Sequence, residues 1–415
     1  MDSNQTSTKQ ENDARSPGKR ETKTRRNWTA GRIAALVMLV IFLCAGGFLS
    51  LFPLGRAFTR AALLLPALLS DSAPPPLVVA GDPVRVIHLT LFPHTSRTVY
   101  LDIYEPATPP PPIPGGREAI IDVPGAGDNR SVPQLVNLSR SLAQEGIIDV
   151  NVGTPALFDY RVETQEGEAV IEAFELMEHW PGVNPQHIGI ITFSVGSLSA
   201  YEAAADPHIR DKIAFLAILG GYANISSLLH VVGTRSQTIN GKTERWEPIA
   251  TTAYVLYRSV SYLFSPSDQK LLQEAFPLTT SFPPPLPAAK VAQLSPVGAA
   301  YYHLLEGDQP AKVNQNIAAL PPSMEILFTQ LSPLSIINQV RPPIYLLHDL
   351  SDPAIPYTQA LEMAAALARL HHPYNFTTYT IFSHVEVNLN FTPGQVISNG
   401  SQLIWVLTSI MLVGS

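Results

Sequence analysis

What most constrains the fold of this chain is a repeated alternation between short apolar runs and stretches with helical spacing. Ala119 to Val123, Ile147 to Val152, Ile188 to Phe193 and Ile213 to Leu219 are apolar almost throughout, as strands buried on both faces must be. Between them, Pro133 to Gln144 stops just before Gly146, Glu163 to His179 sets Val170, Ile171, Phe174 and Met177 on one face, and Val195 to Ala205 follows the third run. The pattern predicts an α/β fold with a mostly parallel sheet and helices on both faces. Ahead of it, Val84 to Leu91 and Arg97 to Tyr104 alternate like an antiparallel hairpin.

The alternation breaks at about residue 222 and resumes near 341 with the strand Ile344 to Leu347, a helix from Tyr357 to Leu370, the strand Phe376 to Phe382 and an apolar helix from Gln402 to Val413. A structureless connection as long as 222–340 is abnormal in a compact domain. Its helix-like pieces, such as Tyr254 to Phe264, make it a helical cap insertion into a core formed by 84–221 and 341–415.

Residues 33–52 (Ile33 to Phe52) are 20 in number and uncharged. That length matches a hydrocarbon core of about 30 Å, so an N-terminal transmembrane helix is expected. A cleaved signal peptide is the competing reading, but its apolar region is shorter, about 7 to 15 residues. Six basic residues from Lys19 to Arg32 precede the run and only Arg56 and Arg60 follow closely, which puts the N-terminus in the cytoplasm and the rest outside. Residues 1–32 are then a disordered basic arm. Residues 53–83 form a membrane-proximal segment and a Pro-rich linker, in which Ala61 to Leu69 is too short to span and either lies on the membrane or packs on the body. The arm carries eight Lys/Arg against four Asp/Glu, which leaves −11 on the remainder of a chain whose net charge is −7. So acidic a body is a poor partner for nucleic acid. The single cysteine, Cys44, excludes internal disulfides and cysteine-based metal sites.

The chemistry-bearing stretch is "IITFSVGSLS", residues 190–199. Ser194 ends an apolar strand two residues before Gly196, where a sharp strand-to-helix turn would push its hydroxyl out of the sheet. A serine that merely caps the following helix is the alternative. A serine nucleophile needs a base, itself oriented by an acid. Two later strand ends offer them: "DLSDPAIP" carries Asp352, and "SHVE" carries His384. Asp349 is a rival acid, Asp352 could instead cap the helix near Tyr357, and His384 could be an ordinary surface histidine. The glycines of "PGAGDNR" do not fit a dinucleotide loop, because Arg130 stands where the third glycine is needed. HExxH, EF-hand and Walker patterns do not occur, so neither cofactor nor metal is expected.

In these motifs the chain resembles the α/β-hydrolase fold superfamily. "HDLSDPAIP" is similar to the family's HGxxDxxVP, with Asp349 in place of the glycine and His348 as its non-catalytic histidine. "TFSVG" is similar to GxSxG, with Thr192 replacing the first glycine, and "VPGAG" is similar to the HGxG loop, with Pro124 replacing histidine. The resemblance implies a Ser194, Asp352, His384 triad with the backbone N–H groups of Ala126 and Val195 as oxyanion donors. The expected activity is hydrolysis of a carboxylic ester or amide, on a small-molecule or lipid-like substrate, by a membrane-anchored enzyme. A peptidase or lipase of the same fold is an alternative, as is a tethered interaction protein that kept the fold without the chemistry. Tyr254, Tyr257, Tyr262, Phe264, Tyr301 and Tyr302 would line an apolar pocket or form the insert's own core, the second reading being preferred.

Overall fold

The computed structural model describes residues 38, 44, 46–68, 81–92, 97–109, 115–380, 382–384, 386–387 and 392–413. The chain divides into an N-terminal unit, residues 1–56, and a body, residues 57–415. Most of the expected transmembrane run lies outside the described residues. Of it, Met38, Cys44 and 46–51 are helical, and among the described residues no helix is long and apolar enough to cross a membrane. The basic arm and the Pro-rich linker also lie outside the described residues.

Eight strands build the main sheet of the body: β1 (Val84–Leu91), β2 (Val99–Pro106), β3 (Arg117–Val123), β4 (Ile148–Gly153), β5 (Val183–Phe193), β6 (Leu216–Leu219) and, after a small hairpin of β7 (Ser236–Ile239) and β8 (Lys242–Arg245), β9 (Ile344–Asp349) and β10 (Tyr374–Tyr379). Their order is β1-β2-β4-β3-β5-β6-β9-β10. β2 runs antiparallel to both β1 and β4, and every other pairing is parallel. Neighbouring residues of the buried strands divide between two apolar layers. Ile121 and Ile190 enter one with Val170, Phe174 and Leu367, whereas Ile120 and Ile191 enter the other with Leu142, Leu403 and Val406. The first layer is covered by the helices Gly167–Glu178, Ser197–Ala205 and Tyr357–Arg369, and the second by Pro133–Gln144, Pro393–Val413 and the body's part of Pro53–Leu68.

Two helices differ from expectation in ways that matter. The apolar stretch after residue 60 packs on the body: Ala57, Leu64, Leu65 and Leu68 are buried in the second layer. The last carbonyls of a helix have no partner within it. Here Gln134 Nε2 donates to Leu68 O at 2.9 Å and Asn137 Nδ2 to Ala67 O at 3.1 Å. The C-terminal helix begins at Pro393 rather than Gln402, and its Leu403, Val406, Ile410 and Met411 are buried against the sheet.

The segment between β6 and β9 has its own apolar cluster, with Leu228, Val232, Leu256, Tyr301, Leu304 and Phe328 at its centre. Its larger helices are Ile225–Thr234, Ala250–Val260, Pro266–Ala275, Pro296–Glu306 and Pro322–Gln330. It is not wholly helical, since β7 and β8 pair across a two-residue turn in which Asn240 and Gly241 have φ of 51° and 76°. Two successive residues with positive φ are the requirement of a type I′ hairpin, and Asn-Gly meets it at least cost.

Candidate active site

Strand β5 delivers Ser194 to the carboxyl edge of the sheet, where a short 3₁₀ turn, Ser194–Gly196, leads into the helix Ser197–Ala205. Ser194 has φ 54°, a left-handed conformation that costs a non-glycine residue energy. It therefore does not act as an ordinary helix cap, and the turn makes no side-chain cap hydrogen bond. A Cβ on Gly196 would stand 2.4 Å from Pro124 O and 2.8 Å from Val123 O, so only glycine lets the turn close against the end of β3. Thr192, which replaces a small residue in the motif, is fully buried, and its hydroxyl donates to Val123 O at 3.1 Å. The extra bulk ties β5 to β3 where the Pro124–Gly127 loop leaves the sheet.

Beyond β9, Asp352 is 1% exposed. Its Oδ2 lies 2.7 Å from His384 Nδ1, while Oδ1 accepts the backbone N–H groups of Ala354 at 2.8 Å and Ile355 at 2.9 Å. Burial pushes this carboxyl up, but the neighbouring His384 and His348 rings and the Ile355 N–H outweigh it and hold it below its usual range. With Asp352 ionised, Nδ1 of His384 carries the proton and Nε2 is left as the acceptor. Asp352 does not cap the helix Tyr357–Arg369, whose first turn is preceded by Pro356. His384 has φ 62°, and Gly220, at φ 61°, leaves room for it: a Cβ there would lie 3.2 Å from the ring.

Asp349 and His348 take other parts. Asp349 Oδ1 accepts from the N–H and hydroxyl of Ser351, both at 2.7 Å, and Oδ2 accepts from Phe382 N–H at 3.1 Å. That carboxyl, pushed up by burial, joins the two loops that bear Asp352 and His384. His348 is 1% exposed, its Nε2–H donates to Ile355 O at 3.0 Å, and burial pushes its pKa down, so it stays neutral beside Asp352.

Ser194, Ala126, Val195 and His384 all line one cavity of about 560 Å³. Among the described residues no hydrogen bond joins Ser194 to His384; catalytic contacts are often loose before substrate binds. Gly125 faces the serine closely, since a Cβ there would lie 3.0 Å from Ser194 Cβ. The Ala126 loop is held by Asn129, whose Nδ2 donates to Gly125 O at 3.1 Å and Ala126 O at 3.0 Å, and by Gly127 N–H donating to Leu157 O at 2.7 Å. Of the six aromatic residues singled out in the insert, only Tyr301 reaches the cavity. Tyr257, Phe264 and Tyr302 are buried in the cap cluster, and Tyr262 is 62% exposed. Among the described residues no group of three His, Cys, Asp or Glu side chains is placed to hold a metal ion.

Two contributors had no sequence signal to reveal them. Trp246, in the insert, donates its indole N–H to Asp352 O at 2.7 Å, and Ile249 N–H donates to Pro353 O at 3.0 Å. Gly220 needed the fold to show that it faces His384.

The sequence matches no family model and no curated protein. Solved structures that resemble it include a puromycin-hydrolyzing peptidase of Mycobacterium tuberculosis (16% identity, 79% of this chain and 39% of that one, TM-score 0.48). An acylaminoacyl peptidase of Pyrococcus horikoshii is 13% identical over 74% of this chain and 39% of that one, with a TM-score of 0.42. A 2,6-dihydroxy-pseudo-oxynicotine hydrolase is 13% identical over 80% of this chain and 70% of that one, with a TM-score of 0.42. The chain thus spans well under half the length of the two peptidases. The strand order with its antiparallel β2, the left-handed serine turn after β5, and the acid and histidine on the loops after β9 and β10 give this chain the α/β-hydrolase fold.

Proposed function

We propose that the protein is a serine hydrolase that cleaves a carboxylic ester through an acyl-enzyme. The observation that carries this reading is the Asp352–His384 contact of 2.7 Å in the cavity that also exposes the strained Ser194. His384 Nε2 takes the Ser194 proton as Oγ attacks the carbonyl carbon, and Asp352 holds the ring in the tautomer that allows it. The N–H groups of Ala126 and Val195 receive the developing oxyanion, each contributing about 2.7 to 4 kcal/mol to the barrier. His384 then returns the proton to the departing alcohol and activates the water that releases the acid.

A fluorophosphonate probe tests this: the full-length protein should be labelled, and Ser194→Ala should not be. Folded wild-type protein that resists labelling would instead mark a binding module that kept the fold. We also read residues 33–52 as a single-pass anchor with a cytoplasmic N-terminus, on the strength of the uncharged run and the basic arm ahead of it. The expected result is a protein that stays with the membrane pellet at alkaline pH, whereas release into the supernatant would overturn the anchor.

A further inference from the structure

The cavity has walls of two origins. Leu68, Leu138, Phe193, Leu219, Tyr379 and Phe382 belong to the apolar layer between the sheet and the helices Pro53–Leu68, Pro133–Gln144 and Pro393–Val413. Leu228, Val255, Leu256, Val260, Phe328 and Leu331 belong to the cap cluster. Ser194 and His384 line the same space, and no Asp, Glu, Lys or Arg does so among the described residues. A charged group bound there would lose its water without gaining a counterion, a cost that apolar groups escape. The volume, about 560 Å³, lies within the usual range for small-molecule sites of about 300 to 1,000 Å³.

Resting on the serine hydrolase reading, we propose that the substrate is an uncharged ester with apolar groups on both sides of the scissile bond. One group lies beneath the cap helices and the other runs towards Leu68, so that the end of the helix Pro53–Leu68 sets how long the second group can be. Leu68 is suited to such a role because it is held in place. It is 8% exposed, and its carbonyl accepts from Gln134, itself a residue of the cavity wall. Arg60 Nη1 bonds to Glu118 Oε1 at 2.7 Å and fixes the same helix one face further back.

Two series of esters test this on the full-length protein, one lengthening the acyl chain with the alcohol constant, the other lengthening the alcohol with the acyl group constant. For wild type, kcat/KM should rise in both series, by about fourfold per buried methylene, until each group meets its wall. Leu68→Trp should shorten the preferred length in one series only, Leu68→Ala should lengthen it in that series, and Leu228→Trp should shorten the other. The opposed directions of the two Leu68 variants separate a wall from general loss of folding. If the lengths do not move, or Leu68→Trp and Leu228→Trp shorten the same series, the two-sided site is wrong even with Ser194 labelled by fluorophosphonate. A preference for amides with a charged amino terminus would overturn it equally. Should Ser194 prove unlabelled, the hydrolase reading falls and the site is judged by binding. Dialkyl ketones of matched lengths should then raise the melting temperature, and Leu68→Trp should abolish the rise for long chains; unchanged melting would reject the apolar site too.

Discussion

At the scale of single residues, the strand-end serine, the acid and the histidine were legible because their chemistry demands each other and their loops follow successive strands. Distinguishing Asp352 from Asp349 was not possible along the chain, since three residues separate them on one loop and only geometry assigns the partner of His384. Asp352→Asn should lower kcat by on the order of 10³ to 10⁴, since the amide offers His384 Nδ1 a donor where an acceptor is needed. Asp349→Asn should act mainly on stability, lowering it by about 1 to 3 kcal/mol as its donors to Ser351 and Phe382 lose charge-assisted bonds. Steady-state kinetics with urea unfolding would separate the two, and a larger kinetic loss for Asp349→Asn would reverse the assignment. Thr192 looked in sequence like a flaw in the turn. Its hydroxyl bond to Val123 O shows that the position needs room toward β3, which the backbone around it supplies.

At the scale of elements, β1 and the helix Pro133–Gln144 have the boundaries their residue patterns imply, because burial there follows a clear period. β6 is shorter than its apolar run: Ile213 is buried but lies before the strand. The hairpin β7–β8 escaped notice although Asn240-Gly241 is the usual signal for such a turn. Its strand β8 is exposed throughout, so no apolar alternation accompanied the turn. The segment just after β8 matters for the site, because Trp246 and Ile249 fasten the insert to the Asp352 loop. Trp246→Phe keeps the buried ring and removes only the N–H donor. The expected outcome is a fall in kcat of roughly three- to tenfold with KM little changed, the loss of one buried hydrogen bond being worth about 0.5 to 1.5 kcal/mol. An effect confined to KM would place Trp246 in substrate binding and not in positioning the acid.

At the scale of the whole molecule, the catalytic edge rests on a sheet whose second layer contains ionisable groups without counterions. Asp122 on β3 and Asp149 on β4 are both fully buried, and neither oxygen of Asp122 has a hydrogen-bond partner among the described residues. Each sits in an apolar strand run, "AIIDV" and "GIIDV", where residue pattern alone gives no hint of how burial is met. Burial, reinforced by Asp149, raises the Asp122 pKa well above its ordinary value, and burial pushes Asp149 up to about 7. Glu202 is likewise pushed up to about 7, chiefly by burial. A carboxyl whose pKa is higher folded than unfolded binds more protons in the native state between those two values, so stability falls as pH rises through that interval. For these groups the interval runs from about pH 4 to about pH 7. Asp352, whose folded pKa is depressed, acts in the opposite sense, but only as pH falls toward and below the ordinary carboxylate range. Urea unfolding should therefore give greater stability at mildly acidic than at neutral or alkaline pH. Asp122→Asn and Asp149→Asn should each flatten that slope and raise stability on the alkaline side, by on the order of 1 to 3 kcal/mol, because an uncharged amide has no ionisation to undergo in a dry interior. Since neither residue lines the cavity, labelling of Ser194 by a fluorophosphonate should be retained in both variants at any pH where they remain folded. A pH slope unchanged by either substitution would mean that these two carboxyls reach water through breathing of the helix Pro133–Gln144, and that their protonation is not what sets the acid side of the stability curve.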